Sequence, residues 1–198
     1  MSFRKEKKYK LTPSDFNILK DSLIKKGMEL LYEPRQINSL YYDTELKDMF
    51  YNSEEGVLPR KKVRIRWYKD TKEANIEIKT SSIEGRFKTT NTQDYDSIEK
   101  FPKVLMDQLY GVLTPSILIS YTREYYSFYN MRITFDTSIN YLNYRLPVKS
   151  TFEDPERVME IKVAIDIEDD FIEKYIPYPT SRFSKYSRGL LFSHQELK

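Results

Sequence analysis

The sequence predicts an α+β fold that is mainly antiparallel β: about eight strands closed into a barrel, with three or four helices packed outside. Two observations carry that expectation. Five segments place charged residues two apart inside apolar runs: Arg64-Ile65-Arg66, Glu77-Ile78-Lys79, Arg86-Phe87-Lys88, Arg132-Ile133-Thr134 with Asp136 beyond it, and Glu160-Ile161-Lys162. Residues i and i+2 of a strand share a face, so each segment has one charged face and one apolar face. The second observation is composition. Seventeen tyrosines and 11 phenylalanines favour strands, and short polar connections favour antiparallel neighbours. A chain of 198 residues fits one domain, 1–198, able to bury about 70 % of its unfolded surface.

Taken in order, Phe3 to Lys10 reads as a first strand, with Arg4, Glu6, Lys8 and Lys10 on one face. Thr12 then caps a helix with Pro13 at its first position, an apolar stripe of Phe16, Leu19 and Leu23, and Gly27 as its stop. Gln36 to Asp43 is a second strand with Ser39, Tyr41 and Asp43 on one face. Met49 to Pro59 has little to bury and reads as a mobile loop. Lys61 to Tyr68, Ala74 to Thr80 and Glu84 to Thr90 are three strands with short polar turns. Ser97 to Tyr110 reads as a helical interruption, broken near Pro102 and stopped by Gly111. Ser116 to Ser127 and Met131 to Thr137 form a hairpin around Tyr129-Asn130. Tyr141 to Arg145 is a short strand and Glu156 to Ile165 the last strong one. Glu168 to Tyr175 and Lys185 to Gln195 are helical, the latter behind Ser184.

Composition excludes much chemistry. There is no cysteine, so no disulfide, thiolate metal site or cysteine nucleophile, in keeping with a reducing compartment. The one histidine, His194, rules out a histidine triad and reads as a surface residue of the terminal helix. No Gly-rich phosphate loop is present. The first residues lack the apolar stretch of a signal peptide, and no run approaches the roughly 18 apolar residues of a membrane span. The expected localisation is cytoplasmic, with no direct membrane insertion. A net charge of +3, from 33 bases against 30 acids, argues against nucleic acid as a partner.

The bases therefore matter by position. One charged pair alone is a solvated strand face, but many strands sharing the pattern would repel across an exposed sheet. A shared inward face answers this if a polyanion compensates it, and removing Arg64 or Arg132 should then leave the fold intact or more stable. Arginine's planar fork matches phosphate oxygens two at a time, and scattered glutamates suit a divalent cation bridging phosphates. Parity complicates Arg123, which shares its face with Tyr121 and Tyr125: either the tyrosines join it inside or a bulge shifts the register. Trp67 follows Arg66 on the opposite face and reads as core or barrel exterior rather than a base-stacking platform.

Several stretches in order resemble the VTC (vacuolar transporter chaperone) domain, the polyphosphate polymerase branch of the triphosphate tunnel metalloenzymes. They are Glu6-Lys7-Lys8-Tyr9, Ser39-Leu40-Tyr41-Tyr42-Asp43-Thr44, Lys62-Val63-Arg64-Ile65-Arg66-Trp67-Tyr68 and Ile76-Glu77-Ile78-Lys79. Ser120-Tyr121-Thr122-Arg123, Arg132-Ile133-Thr134-Phe135-Asp136, Met159-Glu160-Ile161-Lys162 and Ser184-Lys185-Tyr186-Ser187-Arg188-Gly189 follow. The resemblance implies an eight-stranded tunnel in which the γ-phosphate of ATP passes to a growing polyphosphate chain. It implies a divalent metal, usually manganese or else magnesium. Lys8, Arg64, Arg66, Lys79, Arg123, Arg132 and Lys185 would be the catalytic set on the phosphates. Lys88 or equally Arg86, with Ser184, Lys162 and Tyr121, would bind substrate. Glu160, with Glu6, would ligate the metal. Hydrolases and cyclases of this fold tend to begin Glu-x-Glu-x-Lys. Here Lys8 stands where the second glutamate would be, which leans towards the polymerase. Coupling to transport would need a membrane-protein partner. The alternatives are hydrolysis of tripolyphosphate or a nucleoside triphosphate, and polyphosphate binding without turnover.

Overall fold

The computed structural model describes residues 4–69, 71–95, 97–146 and 151–195, with the side chains of 194 and 195 excepted. The expected strand start at Phe3 and the expected surface position of the His194 side chain lie outside the described residues. The first elements are β1 (Arg4–Leu11), α1 (Pro13–Lys25), β2 (Glu29–Asp43), α2 (Asp48–Glu55), β3 (Arg60–Tyr68), β4 (Glu73–Ser82) and β5 (Gly85–Asp94). A 3-10 turn at Ile98–Lys100 precedes β6 (Leu105–Asp107), β7 (Gly111–Phe128), β8 (Met131–Asn143), β9 (Thr151–Glu153) and β10 (Arg157–Ala164). The chain closes with α3 (Asp169–Tyr175) and α4 (Lys185–Gln195).

Hydrogen-bonded neighbours follow the order β1-β10-β8-β7-β2-β3-β4-β5, with β6 against β7 and β9 against β8. The main path thus holds eight strands, the number expected, and the two additions are three residues each. β1 and β5 end the path. No pairing between them is present among the described residues, so the closed barrel is not observed.

The described residues form two compact units. One lies within 1–35, 121–139 and 153–183, and the other within 36–120, 140–152 and 184–198. In the first unit, the apolar faces of β1 (Tyr9, Leu11), β10 (Met159, Ile161, Val163) and β8 (Ile133, Phe135) are buried beneath Phe16, Leu19 and Leu23 of α1 and Ile172 of α3. Phe16 meets Phe135 edge-on with ring centroids 5.0 Å apart. Thr12 caps α1 as the sequence predicts, its Oγ1 accepting from the Asp15 amide at 3.1 Å. In the second unit, Leu40, Tyr42, Val63, Ile65 and Ala74 pack with Met49 of α2, and Trp67 joins them against Phe101.

Five expectations need correction. Residues 48–55 form α2 rather than a loop, because the helix is capped from outside its own sequence. Thr44 Oγ1 accepts the Asp48 amide at 3.0 Å, and the Asp43 carboxylate takes the amides of Met49 at 3.0 Å and Phe50 at 3.1 Å. Residues 97–110 are not helical beyond one 3-10 turn. Asp107 instead accepts the Leu109 and Tyr110 amides at 2.9 and 3.1 Å, turning the chain so that β6 pairs with β7 at Gly111 (φ 72°). β2 begins at Glu29, seven residues early. Its first eight residues are exposed on both faces, where Pro34 is tolerated despite lacking an amide donor. β7 likewise starts at Gly111, and β8 runs on to Asn143, absorbing most of the expected strand at 141–145.

Gly189 fixes how α4 seats on the second unit. A Cβ there would lie 2.5 Å from Ile117 Cδ1 and 2.6 Å from Tyr141 Cδ1. Gly189→Ala should therefore destabilise the protein by about 1–3 kcal/mol through overpacking, read as a lower midpoint of thermal unfolding.

Candidate functional site

Each unit presents a basic strand face opposite its apolar one. In the first, β1 and β10 pair Lys8 with Glu160 and Glu6 with Lys162, a checkerboard of two acids and two bases. Lys8 Nζ lies 3.3 Å from Glu6 and 3.9 Å from Glu160. Lys162 Nζ lies 3.2 Å from Glu160 and 3.8 Å from Glu6. β8 continues the face with Arg132 opposite Lys162 and Thr134 opposite Glu160. Burial pushes the Glu160 carboxyl up, but Lys8, Lys162 and Arg123 outweigh it and hold the group below the usual carboxylate range.

Arg123 resolves the parity problem by the first alternative. Its Nε and Nη2 donate to the two oxygens of buried Asp136 at 2.6 and 2.7 Å, and its guanidinium stands 5.3 Å from the Tyr121 ring. Arg132 stands 5.6 Å from the Tyr125 ring. The tyrosines share the arginines' face.

In the second unit three rows cross the sheet. Lys62, Lys79 and Lys88 stand opposite one another on β3, β4 and β5. The next row is Tyr41, Arg64, Glu77 and Thr90, and the third is Ser39, Arg66, Asn75 and Thr92. Glu77, 4 % exposed, holds this face together. Its Oε2 accepts from Arg64 Nε at 2.7 Å and Nη2 at 2.5 Å, its Oε1 from Lys88 at 2.5 Å, and Arg66 Nη1 lies 3.8 Å away. Burial raises the Glu77 carboxyl, yet Arg64, Arg66 and Lys88 bring it down to about 2. Between the two equal sequence candidates, Lys88 reaches Glu77 while Arg86 stands opposite Ser81 at the far end of the same strand face.

Ser184 sits at the start of α4. Its Oγ accepts from Lys62 Nζ at 2.9 Å and from the Ser187 amide at 3.4 Å, the N-cap pattern. Lys185 is the first residue of that helix. Strand periodicity could not reveal the residues that seat α4. Tyr186 stacks on Tyr41 with centroids 4.9 Å apart and donates to the Asp43 carboxylate, which also caps α2. Arg145 clamps the same corner, donating to the carbonyls of Asp43 and Thr44 at 2.7 Å each. The parity that put Ser39, Tyr41 and Asp43 on one face, and the family stretches that contain Asp43 and Tyr186, were the signals for this corner; Arg145 had none beyond its place in an expected short strand.

Among the described residues no group of three or more His, Asp or Glu side chains forms a metal-binding cluster. Glu6 and Glu160 supply two carboxylates on one face, each within reach of Lys8 and Lys162. That donor set fits a hard divalent cation, which is commonly held by one or two carboxylates with water and substrate phosphates completing the shell.

The sequence matches the family model of the VTC domain over residues 3–194, and the chain belongs to that family. Comparison with curated proteins finds no sequence match. The fold is similar to those of solved structures at low identity. A candidate adenylate cyclase from Bacillus halodurans has a TM-score of 0.60 and 15 % identity, covering 92 % of this chain and 94 % of the other. One from Vibrio parahaemolyticus has a TM-score of 0.55 and 12 % identity over 96 % and 98 %. A candidate adenylyl cyclase from Hippeastrum, described as having a dominant triphosphatase activity, has a TM-score of 0.53 and 15 % identity over 94 % and 95 %. No helix among the described residues is long and apolar enough to cross a membrane.

The ion pairs reverse one expectation. The bases are compensated by the chain's own acids, so removing Arg64 leaves buried Glu77 short of its main partner. Glu77's native value lies below its ordinary 4.5, so the stability it confers is present above about pH 4.5 and is lost as the pH falls towards about 2. That loss should reach about 3 kcal/mol and be absent from Glu77→Gln over the same window, measured by denaturant unfolding at each pH.

Proposed function

We propose that this VTC domain is an ATP-dependent polyphosphate polymerase. A terminal oxygen of the polyphosphate chain attacks the γ-phosphorus of ATP, the bond from that phosphorus to the β–γ bridging oxygen breaks, and ADP leaves with the electron pair. Phosphoryl transfer asks the protein mostly to position its reactants and neutralise charge, which bases on rigid strands can do. In this reading Lys8, Arg64, Arg66, Lys79, Lys88, Arg123 and Arg132 contact phosphates, with Lys162 and Tyr121 beside them. Ser184 and Lys185 meet phosphates from the first turn of α4. Glu160 and Glu6 hold the divalent cation, manganese or magnesium, which when bound neutralises phosphate charge.

The observation that carries the reading is one of placement. The strand-borne bases that the family resemblance assigns to phosphate stand on two charged faces, each backed by a separate apolar core. Lys8 supports extension over hydrolysis, since it puts a base where a second metal-binding carboxylate would otherwise stand. The alternative is a triphosphate hydrolase in which water replaces the acceptor phosphate. The triphosphatase activity described for the Hippeastrum neighbour favours that second reading.

Incubation with ATP and manganese separates the two. Chains resolved on a stained gel, with ADP released in step, are the expected outcome, whereas orthophosphate as the only phosphate product would select hydrolysis. Arg123→Ala and Lys8→Ala should each lower kcat/KM for ATP by about 100-fold or more, as expected for lost charge-stabilising contacts. Glu160→Gln should weaken activity and raise the manganese concentration needed for half-maximal rate.

A further inference from the structure

Tyr41 is an unusual group to find buried in a basic face. The residue is 8 % exposed, its ring stacks on Tyr186, and the guanidinium of Arg64 lies 5.5 Å from the ring centre. Its oxygen accepts from Arg64 Nη1 at 2.7 Å, and its own proton has no acceptor among the described residues. A buried phenol that accepts from a guanidinium and donates to nothing is arranged for its anionic form.

The charges around it agree. β3 turns Lys62, Arg64 and Arg66 towards it, and β4 adds Lys79. The acids nearby are committed elsewhere: Glu77 to Arg64 and Lys88, and Asp43 to Tyr186 and the first amides of α2. The segment of β7 in this unit, Gly111 to Ser120, carries no charged side chain. From α4 the facing titratable group is Tyr186, whose own phenol is held well above its ordinary value by burial and by Asp43.

We propose that Tyr41 is a built-in counter-anion of this face, and that an incoming phosphate anion takes over its role and returns a proton to it. Resting on the phosphate-binding reading above, this makes triphosphate binding proton-linked. With the site empty, burial pushes the Tyr41 phenol up, but Arg64, Arg66, Lys79 and Lys62 more than reverse it and leave it at about 7. Once those bases are neutralised by phosphate, burial prevails and the phenol keeps its proton. Each ligand bound above about pH 7 therefore takes up a proton at Tyr41. Affinity falls with rising pH, because the ligand must displace a negative charge already present. The same phenol holds Arg64 in its hydrogen bond and Tyr186 in its stack, so its protonation is felt at Arg64 and at the first turn of α4.

The test follows the near-ultraviolet tyrosinate band of the ligand-free protein from about pH 6 to about pH 9, below the range of ordinary tyrosines. Tripolyphosphate is then added at about pH 8. One tyrosine should titrate near pH 7 in the wild type and be missing from Tyr41→Phe, and tripolyphosphate should abolish its band. The ratio of wild-type to Tyr41→Phe Kd should rise about tenfold per pH unit above 7. A wild type with no tyrosinate band below about pH 9, or one that binds tripolyphosphate with the band unchanged, overturns the proposal alone. Failure of tripolyphosphate to bind at any pH overturns both this proposal and the phosphate-binding reading. The band is read in the wild type, so the test survives even if Tyr41→Phe does not fold.

Discussion

A strand face crowded with bases stays folded only if anions of the chain's own stand among them, and that constraint organises both units. In the second, Glu77 draws Arg64, Arg66 and Lys88 together. In the first, Glu6 and Glu160 alternate with Lys8 and Lys162, and Asp136 takes Arg123 through two parallel hydrogen bonds. Without these acids the opposed lysines of β3, β4 and β5 and the neighbouring arginines would repel within a partly buried sheet. The backbone sets the spacing and the acids make it tolerable.

The same constraint explains why these strands have two informative faces. Charges at alternate positions leave the intervening residues free to be wholly apolar, so β10 buries Met159, Ile161 and Val163 against α1 and α3 while Glu160 and Lys162 point the other way. Helices are needed on the apolar side. On the charged side they must stay away, except where a cap brings one in. α4 is brought in this way, its first turn tied to β3 through Lys62 and Ser184.

What the sequence disclosed follows the range of the interactions. The strand faces and the Thr12-Pro13 cap are local patterns of two to four residues, and they are present where expected. The base and acid positions were legible because parity is local too. Their pairing was not: Arg64 with Glu77 and Arg123 with Asp136 depend on register, which no single strand encodes. α2 escaped because its amides are satisfied by Asp43 at the end of β2 and Thr44 just after it, not by a residue at its own N-cap. The corner of Asp43, Tyr186 and Arg145 joins residues about a hundred or more positions apart, beyond the reach of any periodicity argument.

The acids that compensate the bases are not equivalent, and the difference bears on how such faces could receive a polyanion. Glu77 lies far below its ordinary range, so it stays charged whatever arrives and keeps Arg64 and Lys88 in place as fixed points of the face. Asp136 is likewise locked to Arg123 by two short hydrogen bonds. Glu6 and Glu160 are held differently: each contacts both Lys8 and Lys162 at 3.2 to 3.9 Å, so each lysine is shared between the two acids. Lys8 and Lys162 have long, flexible stems and no bidentate geometry to lose. They are therefore the bases most easily turned from a carboxylate to a phosphate once that carboxylate is otherwise engaged. Within each face, arginines fixed by buried acids are the rigid charges, and in the first unit the lysines paired with Glu6 and Glu160 are the adjustable ones. That division leaves each face with some charges fixed in place and others free to follow an anion.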